Sequence, residues 1–131
     1  MNLGKFILQE LVPAHVYDER RGQAIELLDR EAVEGLIQLR SDVGKPFIIN
    51  TWVYGGDRGW SGLRTTKSPY YRQYSQHTFG RAFDIVSPAF TPDWLQKFVQ
   101  DNHDKYGITG LELQKTWTHI DWRFSNQLEI F

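Results

Sequence analysis

An α+β domain with a small sheet is the fold the sequence predicts. Three observations lead there. Two stretches carry helical apolar spacing, short β-branched and aromatic runs lie between turn residues, and 131 residues suffice for one real core. The sheet is expected to be antiparallel or mixed. Residues 1–131 are read as a single domain with a lead-in over 1–25, mixed in character as far as Pro13.

Residues 17–28 are weakly helical, with a break or bend at Gly22. A clearer helix is predicted from about Arg30 to Ser41. Asp29 is its N-cap, Ala32, Val33, Leu36, Ile37 and Leu39 form its apolar side, and Gly44 and Pro46 stop it. PFIINTWVY (46–54) reads as a buried strand bounded by Gly55 and Gly56. A long loop over 55–76 follows, and its Trp60, Tyr70, Tyr71 and Tyr74 argue against disorder. RAFDIV (81–86) reads as a second strand. Thr91, Pro92 and Asp93 start a helix expected to reach about Asn102 and to bury Trp94, Leu95, Phe98 and Val99. After a turn between Gly107 and Gly110, GLEL (110–113) and WTHIDWR (117–123) read as a β-hairpin.

Fifteen basic and sixteen acidic residues leave a formal net charge of −1, without the basic footprint of a nucleic-acid binder. The short basic stretch from Arg58 to Lys67 reads first as a solvated loop. No apolar run is long enough to span a bilayer, and the N-terminus lacks a secretory layout because Gln9 and Glu10 interrupt its short apolar patch. The expectation is a soluble protein made in the cytoplasm, for which action at a cell wall needs a separate exit route. With no cysteine, any metal must be held by His, Asp or Glu.

Two segments carry the chemistry. In SQHTFGRAFD (75–84), Gly80 permits a sharp turn between His77 and the strand holding Asp84. Strand alternation sets Phe83 and Ile85 on the core face and turns Asp84 the other way, beside the small Ala82. A carboxylate in the middle of an apolar strand needs a partner, and a metal ion or an Arg would serve. In WTHIDWR, Trp117, His119, Asp121 and Arg123 share one face. Two imidazoles and one carboxylate make a three-ligand site of the catalytic zinc type. Glu112 and Asp121 compete for the part of general base. A two-residue loop at Gln114 and Lys115 pairs Glu112 with Trp117, one diagonal step from His119 and on its face; a three-residue loop turns Glu112 away. Asp121 is alternatively an orienting partner for a ligand imidazole. Arg64, in WSGLR, is a candidate to hold a substrate carboxylate or an oxyanion, with Arg58, Arg72 and Arg81 as rivals.

Ser75-x-His77-x-x-Gly80-x-Ala82-x-Asp84 followed by His119-x-Asp121 resembles the M15 family of zinc peptidases, the group of D-Ala-D-Ala carboxypeptidases and phage endolysins. The first motif is specific, with five residue types at set spacing. WSGLR resembles the SGxR segment that often precedes it there. The order of elements is similar over roughly residues 26–123, and the chain looks like small phage-encoded members with the same tail. The resemblance implies that His77, Asp84 and His119 hold one zinc ion (Zn2+) per chain. It implies a metallopeptidase, a carboxypeptidase or an endopeptidase, whose substrate is a peptidoglycan stem peptide. One departure matters: many members carry Glu or Asp three residues before the last His, where this chain has Thr116.

Each of these residues also has a bland role open to it. Asp84 would serve as a strand-end cap or as an ion-pair partner of Arg81 or Arg64. His119 would serve as a core imidazole between tryptophans, and Glu112 as a solvent-facing strand residue. Asp121 would pair with Arg123 or Arg64, and Arg64 would be a surface cation. His15 and His103 have no partner pattern. Two competing readings of function therefore stand beside the peptidase. One is a non-catalytic zinc-binding structural or cell-wall-binding module of a phage particle; the other is a metal-free structural domain.

Overall fold

Helical signals in the sequence translate directly into caps. In the computed structural model, which describes residues 2–131, α1 (Ala14–Arg20) leads into a 3-10 segment over Arg21–Leu27. The break falls at Arg21, with φ of +52°, rather than at Gly22. The Asp29 side chain accepts from the Ala32 N–H at 3.1 Å and starts α2 (Arg30–Val43), which Gly44 closes in a left-handed conformation. Thr91 caps α3 (Pro92–Tyr106) through the Trp94 N–H at 3.2 Å. α3 runs a full turn past Asn102, because its C-terminal half buries Tyr106 before Gly107 ends it. Leu95 and Val99 are buried as expected, but Trp94 is 41% exposed and stacks on Phe98 at the surface. No described helix is long and apolar enough to cross a membrane.

Four short strands build one mixed sheet in the order β1-β3-β2-β4: β1 (Ala82–Ile85), β2 (Gly110–Glu112), β3 (Thr118–Asp121) and β4 (Glu129–Ile130). β3 is the central antiparallel partner of both β1 and β2, while β4 adds in parallel to β2. The fold is α+β, as the sequence predicts. The expected strand over 46–54 is corrected: only Ile48 bridges to Val86, and Trp52–Tyr54 form a 3-10 turn. The physical reason is partner choice. The Asn50 backbone N–H donates to the Glu10 carbonyl, and the Asn50 and Trp52 side chains both donate to the Val12 carbonyl. The segment is thereby tied to the lead-in, not to a neighbouring strand. Leu11, Val12 and Val16 of that lead-in are buried in the core.

The hairpin also differs from its expected form. Glu112 pairs directly with His119, not with Trp117 or Thr116, so the connection is wider than a tight turn. Gln96, buried on α3, holds it open: its Nε2 donates to the carbonyls of Gln114 and Trp117 at 2.8 and 3.3 Å. The register moves by two residues relative to a two-residue loop, so Glu112 keeps the same face.

Cross-strand partners share a face, and the pairing sorts the sheet into two sides. Phe83, Ile120 and Leu111 line up toward the helices, all fully buried. On the opposite side run two rows across the strands: Asp84, His119 and Glu112, then Ala82, Asp121 and Gly110. Gly80 delivers β1 to this position. Its φ is +70°, and a Cβ there would run into the backbone of Leu27 and Leu28. Replacing Gly80 with Ala is expected to cost at least about 1–2 kcal/mol, read as a lower urea midpoint with an unchanged slope. An unchanged midpoint would show that the turn tolerates a side chain.

Candidate metal centre

Three side chains meet at the Asp84 carboxylate. One carboxylate oxygen, Oδ1, lies 3.2 Å from His77 Nε2 and 3.0 Å from His119 Nδ1. The other, Oδ2, accepts from Arg64 Nη2 at 2.9 Å. His77, Asp84 and His119 are all buried, and one ligand atom from each lies within 4.8 Å of the others. This group can hold a metal ion.

The far nitrogen of each imidazole is already engaged. His77 Nδ1 lies 2.8 Å from the Gly62 carbonyl oxygen. A carbonyl only accepts, so Nδ1 carries a hydrogen, and Nε2 is the nitrogen turned toward Asp84. His119 Nε2 lies 2.8 Å from the acceptor Asp121 Oδ2, and its Nδ1 faces the same Asp84 oxygen as His77 does. An acceptor behind each ligand imidazole, fixing its tautomer and ring orientation, is the usual support of a metal site. His77 is further held by the loops around it. Its backbone N–H lies 3.2 Å from Ser75 Oγ, and its carbonyl accepts from the Arg64 N–H at 3.1 Å.

Asp121 is fully buried, and its carboxylate is clamped from the other side by Arg123, through Nε at 2.8 Å and Nη2 at 2.7 Å. There is room for it because its row neighbours are small. A Cβ on Gly110 would overlap the Asp121 carboxylate, so glycine is required there. Burial works against ionisation of Asp121, but the hydrogen bonds from Arg123 and His119 outweigh it and bring its pKa down to about 2. Burial likewise opposes charging His119, yet the hydrogen bonds to Asp121 and Asp84 outweigh it and lift the metal-free imidazole to about 9. Asp84 is held well below the usual carboxylate range: burial resists, and the two imidazoles prevail.

Among the other residues singled out in the sequence, Glu112 and Arg64 line the same cavity as the three candidate ligands, a space of about 370 Å³. Asp121 lies behind His119 and does not line it. Arg64 is also tied to the Trp60 carbonyl at 2.7 Å. Of its rivals, Arg58 lines the neighbouring cavity, Arg81 Nε donates to Gln76 at 2.6 Å, and Arg72 is exposed. Thr116 is exposed, away from the ligands. His15 bonds Thr65 at 2.7 Å and His103 lies by Asp104, both outside the cavity. Three contributors escaped the sequence reading. The Gly62 carbonyl carries no side-chain signal. Gly110 reads as an ordinary turn residue. Phe131 enters because β4 sets its ring edge-on to His119 at 5.9 Å and beneath Arg123 at 4.3 Å.

No protein-family model, curated protein or solved structure matches the chain.

Two outcomes follow from this geometry. Asp121→Asn keeps the shape but weakens the acceptor behind His119, and is expected to lower metal affinity about 10- to 100-fold by competition with a chelator. An unchanged affinity would remove Asp121 from the site. The second concerns pH. Metal-free His119 is protonated up to about pH 9, so binding displaces a proton and apparent affinity rises about tenfold per pH unit toward that value. Because its folded pKa is raised, the stability it lends the metal-free protein is complete below about 6.5 and is lost as pH rises through about 9. Thermal midpoints of metal-free protein between pH 6 and 10 check the direction; a rise over that window contradicts it.

Proposed function

We infer that the protein is a zinc-dependent peptidase that hydrolyses a peptide bond in bacterial cell-wall peptides. The observation that carries this reading is the convergence of His77 Nε2 and His119 Nδ1 on one Asp84 oxygen, with an acceptor behind each ring. Two imidazole nitrogens and a carboxylate oxygen are a set that suits zinc. Tetrahedral ligands about 2.0–2.1 Å from zinc stand roughly 3.3 Å apart. The two edges at Asp84, 3.2 and 3.0 Å, are close to that spacing. The choice of cell-wall peptide rests on the likeness of the Ser75–Asp84 and His119–Asp121 motifs to M15 peptidases.

Zinc in such a site supplies Lewis acidity to a scissile carbonyl and to water. The chain's own residues supply the rest. Glu112 is directly opposite His119 and lines the cavity, and we assign it the proton transfer. Asp121 is a poorer base, since its oxygens already accept from His119 and Arg123 and a pKa of about 2 holds a proton weakly near neutrality. Its part is to position His119. Arg64 anchors Asp84 through Nη2, and its remaining N–H groups are left to stabilise an oxyanion.

Metal analysis of protein purified without added metal is expected to find about one zinc per chain, lost in His77→Ala. Glu112→Gln is expected to keep the zinc and to lower turnover of a peptidoglycan stem peptide by about 100-fold or more. Zinc retained with no cleavage by the unaltered protein would leave the non-catalytic module. No zinc taken up at all would leave a metal-free structural domain.

A further inference from the structure

The row of side chains that carries the candidate metal centre runs one strand further than its ligands. β4 pairs in parallel with β2, Gly110 opposite Glu129 and Leu111 opposite Ile130. The pairing continues for one more step. The Phe131 N–H donates to the Leu111 carbonyl at 3.0 Å, and the Phe131 carbonyl accepts from the Leu113 N–H at 2.8 Å. These two bonds bracket Glu112 and set Phe131 beside it. Paired residues share a face of the sheet, so Asp84, His119, Glu112 and Phe131 stand in one row, one from each strand. The Phe131 side chain lines the cavity of the candidate ligands, yet the residue is 49% exposed, so burial of apolar area is a small part of what its ring does there.

What the ring touches is Arg123. The guanidinium carbon lies 4.3 Å from the ring centroid, well inside the range of a cation–π contact. Through Nε and Nη2 the same guanidinium grips Asp121, and Asp121 stands 2.8 Å behind His119. Arg123 has other acids within electrostatic reach. The hydrogen bonds to Asp121 do most to hold it charged, and Glu129 and Glu112 add to that. An arginine swung onto Glu112 would leave the buried Asp121 without its counter-charge and loosen the support of His119. It would also neutralise the group assigned to proton transfer. A ring packed against the guanidinium opposes that swing while leaving the N–H groups to Asp121.

We propose that Phe131 is a positioning residue of the metal centre: its ring keeps Arg123 on Asp121 and off Glu112, and so holds His119 in the orientation that binds the ion. The proposal rests on the metal-binding part of the reading above and not on peptide cleavage. Its test is zinc affinity, measured by competition with a chelator. Phe131→Ala is expected to weaken zinc binding about three- to fivefold. Phe131→Tyr keeps the ring and is expected to stay within about twofold of the unaltered protein. Phe131→Leu is apolar but has no ring face, and is expected to lose as much as Phe131→Ala. Combined with Arg123→Gln, Phe131→Ala is expected to add no further loss, because the two residues act through one contact. Equal zinc affinity in Phe131→Ala and the unaltered protein overturns the proposal and leaves the metal centre standing. Losses that add in the double variant, or full recovery in Phe131→Leu, also overturn it, by reducing the ring to general packing. A protein that takes up no zinc removes the centre and the proposal together.

Discussion

Burying the Asp84 carboxylate is the constraint on which the rest of this structure depends. A carboxylate taken out of water in the middle of an apolar strand is tolerable only if its oxygens are satisfied from several directions. Here one oxygen faces two imidazoles and the other accepts from Arg64. Each partner is then committed in turn. Arg64 is anchored to the Trp60 carbonyl, His77 to the Gly62 carbonyl and His119 to Asp121, which Arg123 holds. The long loop over 55–76 therefore has a fixed course even though much of it forms no regular element. Its polar groups close the network around β1, as in the hydrogen bond from the Asp84 N–H to the Ser61 carbonyl at 2.7 Å.

The two sides of the sheet divide the labour. Phe83, Ile85, Leu111 and Ile120 give up their exposure to the helices, which makes the strands rigid despite their length of two to four residues. That rigidity is what a metal site requires, since ligands on paired strands keep their spacing better than ligands on free loops. The small residues on the opposite side are as necessary as the large ones on the core side. Ala82 and Gly110 flank Asp121 and leave its carboxylate room to reach both His119 and Arg123.

Electrostatics tie the network to its environment. In the metal-free protein the imidazole of His119 gains a proton from its two acidic neighbours' influence, so protons and a metal ion compete for the same nitrogen. Asp121 takes no part in that exchange directly. Its low pKa keeps it an acceptor across the neutral range, and an acceptor is what holds the His119 ring in place.

Much of the site was legible in the sequence because it is local. Alternation along β1 and β3 assigns faces without any knowledge of the partner strand, so Asp84 and His119 turn away from the core whatever the register. Helix caps at Asp29 and Thr91 are local for the same reason. What only the tertiary structure decided is everything that depends on a distant partner. The 46–54 segment has the composition of a strand, yet Glu10 and Val12 take its hydrogen bonds. Trp94 sits at a helical position suited to burial, yet faces outward beside Phe98. The pairing of Glu112 with His119 hangs on Gln96, some twenty residues away on α3. β4 is two residues long and exposed, so no periodicity announces it, and Phe131 reaches the site only through its pairing with β2. Side-chain direction is set by backbone geometry over neighbouring residues, whereas partner choice is a competition among segments that meet only when the chain is folded.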